Sequence, residues 1–247
     1  MVKFEAAALT PSLLPDLWAM GFTKCSDSFV RFCFTRCLDR QKVSSAIAEL
    51  CPEATSNYLN MPDLELERSC SPLNLEEVNQ GYFLMPVRPG YAISLVDRHG
   101  SAEDLFGGKP SVLLRWDNVY YRKKTHHKIL QSPARILWYV SGNQKQIIAV
   151  SHLYEVEIDS AKTLFKKFKK FGILEWNDIY KMCDGDPSNE IMALKFSHTF
   201  PFRKPVLLDT VREVFKENGT GLSLQSPLKL SMAIFQNLFQ LGYPNQS

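Results

Sequence analysis

The chain has 247 residues, of which 45% are hydrophobic and 22% charged, ordinary values for a globular protein of one large domain or two small ones. No run of eighteen apolar residues occurs, and the start MVKFEAAALTPSLLPDLW lacks a charged segment followed by an apolar one and a small-residue cleavage site. Neither a membrane span nor a secretory leader is expected, so the default location is cytoplasmic.

The net charge of +3 hides an asymmetry. Residues 1 to 80 carry 7 basic against 11 acidic side chains, a net of −4, whereas residues 81 to 247 carry 22 against 15, a net of +7. Such a change of sign argues for two units with different partners, although surplus lysine on a solvated face is common in proteins that bind nothing anionic.

Along the chain, Pro11 to Met20 has helical spacing of Leu13, Leu14, Leu17 and Trp18, and Gly21 stops it as a C-cap glycine would. Ser28 to Arg36 alternates as a buried strand, and Gln41 to Leu50 is a second helix. From 52 to 80 the composition shifts to Pro52, Pro62, Pro72 and acidic residues, the signature of a linker. The predicted domains are therefore an α/β appendage over 1–51, that linker, and a main domain over 81–247.

In the main domain, Tyr82 to Val87 reads as a strand, Pro89 to Val96 as a turn into a short helix, and 101 to 108 as a surface element closed by two glycines. Strands are expected at Ser111 to Arg122, Ala134 to Ser141 and Gln144 to Ile158, the last two joined by a Gly142-Asn143 turn. A helix N-capped at Asp159 or Ser160 runs to Phe171. Helix 176–183, strand 190–200, and helices 208–217 and 227–241 complete the expectation.

Five of the six cysteines lie in the first 70 residues, there is no CxxC pair, and no histidine precedes His99. That pattern reads as free, mostly buried thiols in a reducing compartment, with no metal site and no cofactor. Cys33 and Cys37 lie on one side of the predicted strand.

The segment from Gly108 to Ser151 carries most information: GKPSVLLR, the basic loop RKKTHHK, then ARILWYVSG and QIIAVS. Two apolar, β-branched and aromatic runs flank a cluster of cations, as in a sheet presenting a positive edge to a phosphate backbone. The order Gly108-Lys109, Leu114-Arg115, Ile136 to Ser141, and Ile147 to Val150 resembles the PUA-like/ASCH pattern. It departs at Leu113, where the family has glutamate, at Pro110 after the lysine, and at Ala149 in place of glycine.

The resemblance covers roughly 81–247. It implies an α+β fold, a curved β-barrel with flanking helices, that binds RNA or DNA, in some relatives through a modified or flipped base. Leu17 to Phe22 resembles the helix and Leu-Gly-Phe turn at the C-terminal end of a GNAT acetyltransferase. No pyrophosphate-holding glycine loop precedes it, so acetyl transfer is not expected.

Three sets of residues are candidates for nucleic-acid contact. The loop residues Arg122, Lys123, Lys124, His126, His127 and Lys128 would release counterions on meeting phosphates. Lys162, Lys166, Lys167, Lys169 and Lys170 surround an apolar stripe of Leu164, Phe165, Phe168 and Phe171, giving a cationic ridge that suits phosphates or an anionic membrane surface, of which phosphates are preferred. The resemblance places Lys109 and Arg115 at the mouth of the cleft.

Of Trp138, Tyr139, Tyr120 and Tyr121, one or two are expected to be exposed there to stack on a base. Arg115 could instead form an ion pair with Asp117 or Glu155. The enzymatic alternative, an ASCH-type amidohydrolase or ribonuclease, would use Lys109 and Ser111 with Glu155 or Glu190 as acid/base. A scaffold binding another protein through the acidic N-terminal unit is a third class. His152 and His198 read as core or edge histidines.

Overall fold

The computed structural model describes residues 1–5, 11–95, 117–124 and 129–244. The chain divides into two compact units, Met1–Asn79 and Gln80–Ser247.

The smaller unit opens with β1 (Val2–Glu5), α1 (Leu14–Ala19), β2 (Thr23–Cys25) and β3 (Ser28–Arg31), the three strands pairing antiparallel in the order β1-β3-β2. Gly21 between α1 and β2 has φ +82°, and a Cβ there would sit 2.7 Å from the Ser69 Cα, so both conformation and space require glycine. The strand expected to reach Arg36 ends at Arg31, because the backbone beyond it finds other partners: Phe34 N donates to the Cys70 carbonyl at 3.1 Å. Cys33 therefore lies outside any strand. Cys37 falls in β4 (Cys37–Leu38), which is followed by α2 (Arg40–Leu50), N-capped by the Asp39 carboxylate accepting from Lys42 N at 2.7 Å.

The segment expected to be a linker is folded. It holds a 3-10 turn (Pro52–Ala54), α3 (Thr55–Leu59), α4 (Asp63–Ser69) and β5 (Asn74–Leu75), which pairs parallel with β4. Pro52 opens the 3-10 turn and Pro62 is the N-cap of α4, so these prolines start helices where proline's missing N–H is harmless. Tyr58, Leu66, Cys70, Leu73 and Leu75 join Val30, Phe32, Val43 and Ile47 in one core.

The larger unit contains β6 (Gly81–Val87), α5 (Pro89–Leu95), β7 (Asp117–Lys123), β8 (Ala134–Val140) and β9 (Gln146–Ser160). There follow α6 (Ala161–Phe168), α7 (Trp176–Met182), β10 (Glu190–Leu207), α8 (Leu208–Glu217), β11 (Leu228–Lys229) and α9 (Met232–Gly242). The six strands form one sheet in the order β11-β6-β8-β9-β10-β7, with only β6 and β8 parallel. β10 passes the residue where the sequence suggested a stop, because register shifts at Ser197/Phe200 and Pro201/Val206 absorb the prolines as bulges.

Alternation divides the sheet's faces. Phe83, Met85, Val87, Ile136, Trp138 and Val140 pack with α5, α6 and α7. On the other face the Tyr82 ring lies 4.5 Å from Phe235 of α9, and the Arg135 guanidinium lies 5.8 Å from the same ring. Among the described residues no helix is long and apolar enough to cross a membrane.

Candidate nucleic-acid interface

In a strand, alternate side chains share a face, so Tyr120 and Arg122 of β7 point the same way. β7 and β6 are four steps apart in the sheet order, about 19 Å in a flat sheet at the usual strand spacing of about 4.8 Å. Arg122 Nη1 nonetheless lies 2.8 Å from Met85 Sδ. The sheet is therefore rolled, and Arg122 lies across its inner side.

A thioether is a weak acceptor. Arg122 Nε is buried without a hydrogen-bond partner among the described residues. Burial pulls the guanidinium's pKa below its usual value, Tyr120 acts in the opposite sense, and no carboxylate among the described residues assists it. The ring of Tyr120 stands edge-on to Trp138, centroids 6.0 Å apart, and lies 6.4 Å from Tyr91 of α5. Burial first, then the charge and hydrogen bond of Asp178 on α7, raise the pKa of Tyr91 and keep it a neutral phenol. Arg88, exposed just after β6, acts electrostatically on both tyrosines.

The arrangement gathers Arg88, Tyr91 and Arg122 around Tyr120, with Asp178 acting on Tyr91 and Trp138 buried behind. Such a set can take an anionic oxygen on the guanidinium and a planar ring beside the half-buried Tyr91. Sequence reasoning named Arg122 but missed Arg88, Tyr91 and Asp178. The available signal was local: Arg88 interrupts an apolar strand at its end, and Tyr91 follows Pro89-Gly90 at a helix start.

The expectation that one or two of four strand aromatics are exposed for stacking needs correction. Trp138 and Tyr121 are 0% exposed, Tyr139 3% and Tyr120 7%. β8 lies between β6 and β9 with both faces covered, so the run ILWYV is a doubly buried strand and not a half-exposed one. The indole N–H of Trp138 donates to Ser151 Oγ at 2.7 Å, and Ser151 Oγ lies 2.7 Å from Thr199 Oγ1.

The expected cations fall into three groups. Lys109, Arg115, His126, His127 and Lys128 lie outside the described residues, as do the hydroxyl candidate Ser111 and the surface element over 101–108. Lys123 pairs with Asp184 at 2.7 Å, Lys124 with Glu190, and Lys167 with Glu157 and, at 3.9 Å, Glu155. Exposed pairs like these contribute about 0–1 kcal/mol, little enough for a phosphate to displace the carboxylate.

Lys162, Lys166, Lys169 and Lys170 are exposed, with no ion pair among the described residues. The chain after α6 borders β7 directly: Val119 N donates to the Phe171 carbonyl at 2.8 Å and Ile173 N to the Val119 carbonyl at 3.1 Å. The end of the lysine ridge thus adjoins the strand that carries Arg122.

Glu155 and Glu190, named for acid/base work, are engaged by lysines, Glu155 also by Lys195 at 3.9 Å. His152 and His198 are buried with rings 5.8 Å apart, and Ser197 Oγ lies 2.9 Å from His198 Nδ1. Among the described residues no group of three or more His, Cys, Asp or Glu side chains is placed to hold a metal.

The sequence matches no protein-family model and no curated protein. Solved structures do resemble it. ASCH from Zymomonas mobilis is 18% identical and superposes with a TM-score of 0.50 over 65% of this chain and 94% of its own. Its serine-to-alanine variant gives the same identity and score over 66% and 97%.

The larger unit has the PUA-like/ASCH fold. Human THYN1, solved in complex with DNA containing 5-methylcytosine, is 14% identical with a TM-score of 0.40 over 68% of this chain and 100% of its own. Of the curved β-barrel with flanking helices expected from the sequence, the ASCH-fold unit shows the sheet and the helices, and among the described residues no pairing of β11 with β7 closes the barrel.

Proposed function

We propose that the ASCH-fold unit binds nucleic acid, the lysine ridge and Lys123–Lys124 engaging phosphates while the Arg122 side chain, beside Tyr91 and Arg88, receives one unstacked nucleotide. The observation that carries this reading is Arg122. A guanidinium drawn into a rolled sheet, set against a thioether and left with an unsatisfied Nε, costs stability unless a ligand supplies the missing acceptor.

The half-buried Tyr91 beside the two arginines suits a base or its phosphate, and the excess positive charge of residues 81–247 supplies long-range attraction. Extraction of a base from a duplex costs a few kcal/mol, so the reading favours single strands, or duplexes whose target base is modified or mispaired.

The test is equilibrium binding to single- and double-stranded RNA and DNA across a salt series, with the double variant Lys169→Ala/Lys170→Ala beside wild type. The expected result is a steep salt slope, reduced by about two units in the variant if both lysines meet phosphates. Absence of binding at low salt would refute the proposal.

A further inference from the structure

The smaller unit carries a second chemical site. Cys25 ends β2 and Cys51 follows the last turn of α2, yet their Sγ atoms lie 3.1 Å apart. Cys25 Sγ is also 3.3 Å from Glu53 Oε2, to which Ser26 Oγ donates at 2.6 Å. The group lines an open pocket of about 530 Å³ together with Lys3, Asp27 and Leu50. Cys25 is buried and Cys51 partly exposed.

We propose that Cys25 and Cys51 form a reversible dithiol–disulfide site whose co-reactant is a low-molecular-weight disulfide admitted through this pocket. The sulfurs need to approach by only about 1 Å to reach the bond length of about 2.05 Å. Burial, followed by the hydrogen bonds to Cys51 and Glu53, pushes the Cys25 thiol up to about 12, so it stays protonated while the more exposed Cys51 reacts first.

The Cys51 thiolate attacks the incoming disulfide, forming a mixed disulfide and releasing one thiolate, which takes up the proton Cys51 gave up. Cys25 then attacks the Cys51 sulfur as its proton passes to Glu53, and the second thiol leaves carrying that proton. In sum, two protein thiols are oxidised to one disulfide and one small disulfide is reduced to two thiols. The bond ties the β2–β3 hairpin to the end of α2.

The experiment equilibrates the full chain in glutathione buffers from reducing to oxidising, alkylates the remaining thiols and identifies peptides by mass spectrometry. A Cys25–Cys51 cross-link, lighter by two hydrogens and reversed by dithiothreitol, is expected to dominate under oxidising conditions. The Cys25→Ser variant should accumulate glutathione on Cys51, and Cys51→Ser should leave Cys25 unmodified. Free Cys25 and Cys51 in the most oxidising buffer, cross-links dominated by Cys33 or Cys37, or glutathione on Cys25 in Cys51→Ser would each overturn the proposal.

Discussion

Arg122 holds a guanidinium nitrogen 2.8 Å from the sulfur of Met85, joining the last strand of the sheet order to the second across the rolled inner side. Partly buried arginines ordinarily answer to carboxylates, phosphates or several carbonyls. Here a thioether takes that place, and among the described residues Nε has no acceptor. The proposed site centres on this mismatch, and its neighbours Tyr120, Tyr91 and Arg88 add rings and positive charge, with no carboxylate among the described residues neutralising Arg122.

Packing of α9 depends on Gly242. A Cβ added there would lie 2.3 Å from Phe202 Cδ2, far inside contact distance, so Gly242→Ala must displace the ring. Overpacking of this kind costs roughly 1–3 kcal/mol, more than alanine returns through helix propensity at a helix end. Urea denaturation should show a lower midpoint at an unchanged slope.

Trp138→Phe separates core from site. It removes the indole N–H bond to Ser151 while keeping an aromatic ring beside Phe196, 4.9 Å away by centroids. The expected loss is about 1–2 kcal/mol of stability, with nucleic-acid affinity unchanged, since no face of the ring reaches solvent. A large loss of affinity with little loss of stability would return Trp138 to the binding surface.

High pH should weaken both units. Burial raises the pKa of Tyr58 in the smaller unit and of Tyr120 and Tyr121 in the larger. The folded state holds these phenolic protons more tightly than the unfolded chain, whose tyrosines ionise near 10. Their contribution is therefore complete below about pH 10 and declines as the pH rises through the folded values. Absorbance titration should show a group of tyrosines ionising normally and a later group ionising with unfolding.

Element type was largely legible from periodicity and punctuation. Ser160 caps α6 and Asp39 caps α2 through side-chain bonds of the kind their positions suggest. The missed features depend on distant partners. Phe34 leaves its strand for the Cys70 carbonyl, and Pro52 and Pro62 start helices in a segment that reads as a linker.

The site was half legible. Arg122 could be named from the basic loop, but alternation alone cannot bring it to Met85, because the roll of the sheet arises from long-range pairing. Trp138 and Tyr139 were misjudged because a continuous apolar strand gives no signal of which faces are covered.

The most direct measurement compares Arg122→Met with wild type, both in thermal stability and in affinity for a single-stranded oligonucleotide at low salt. Methionine keeps an apolar stem and removes a partly buried charge whose Nε lacks an acceptor among the described residues, so the melting temperature should be maintained or raised. Affinity should fall by about tenfold or more, on the order of the 1–3 kcal/mol of a lost charge-assisted contact. Unchanged affinity in a stable variant would contradict the account.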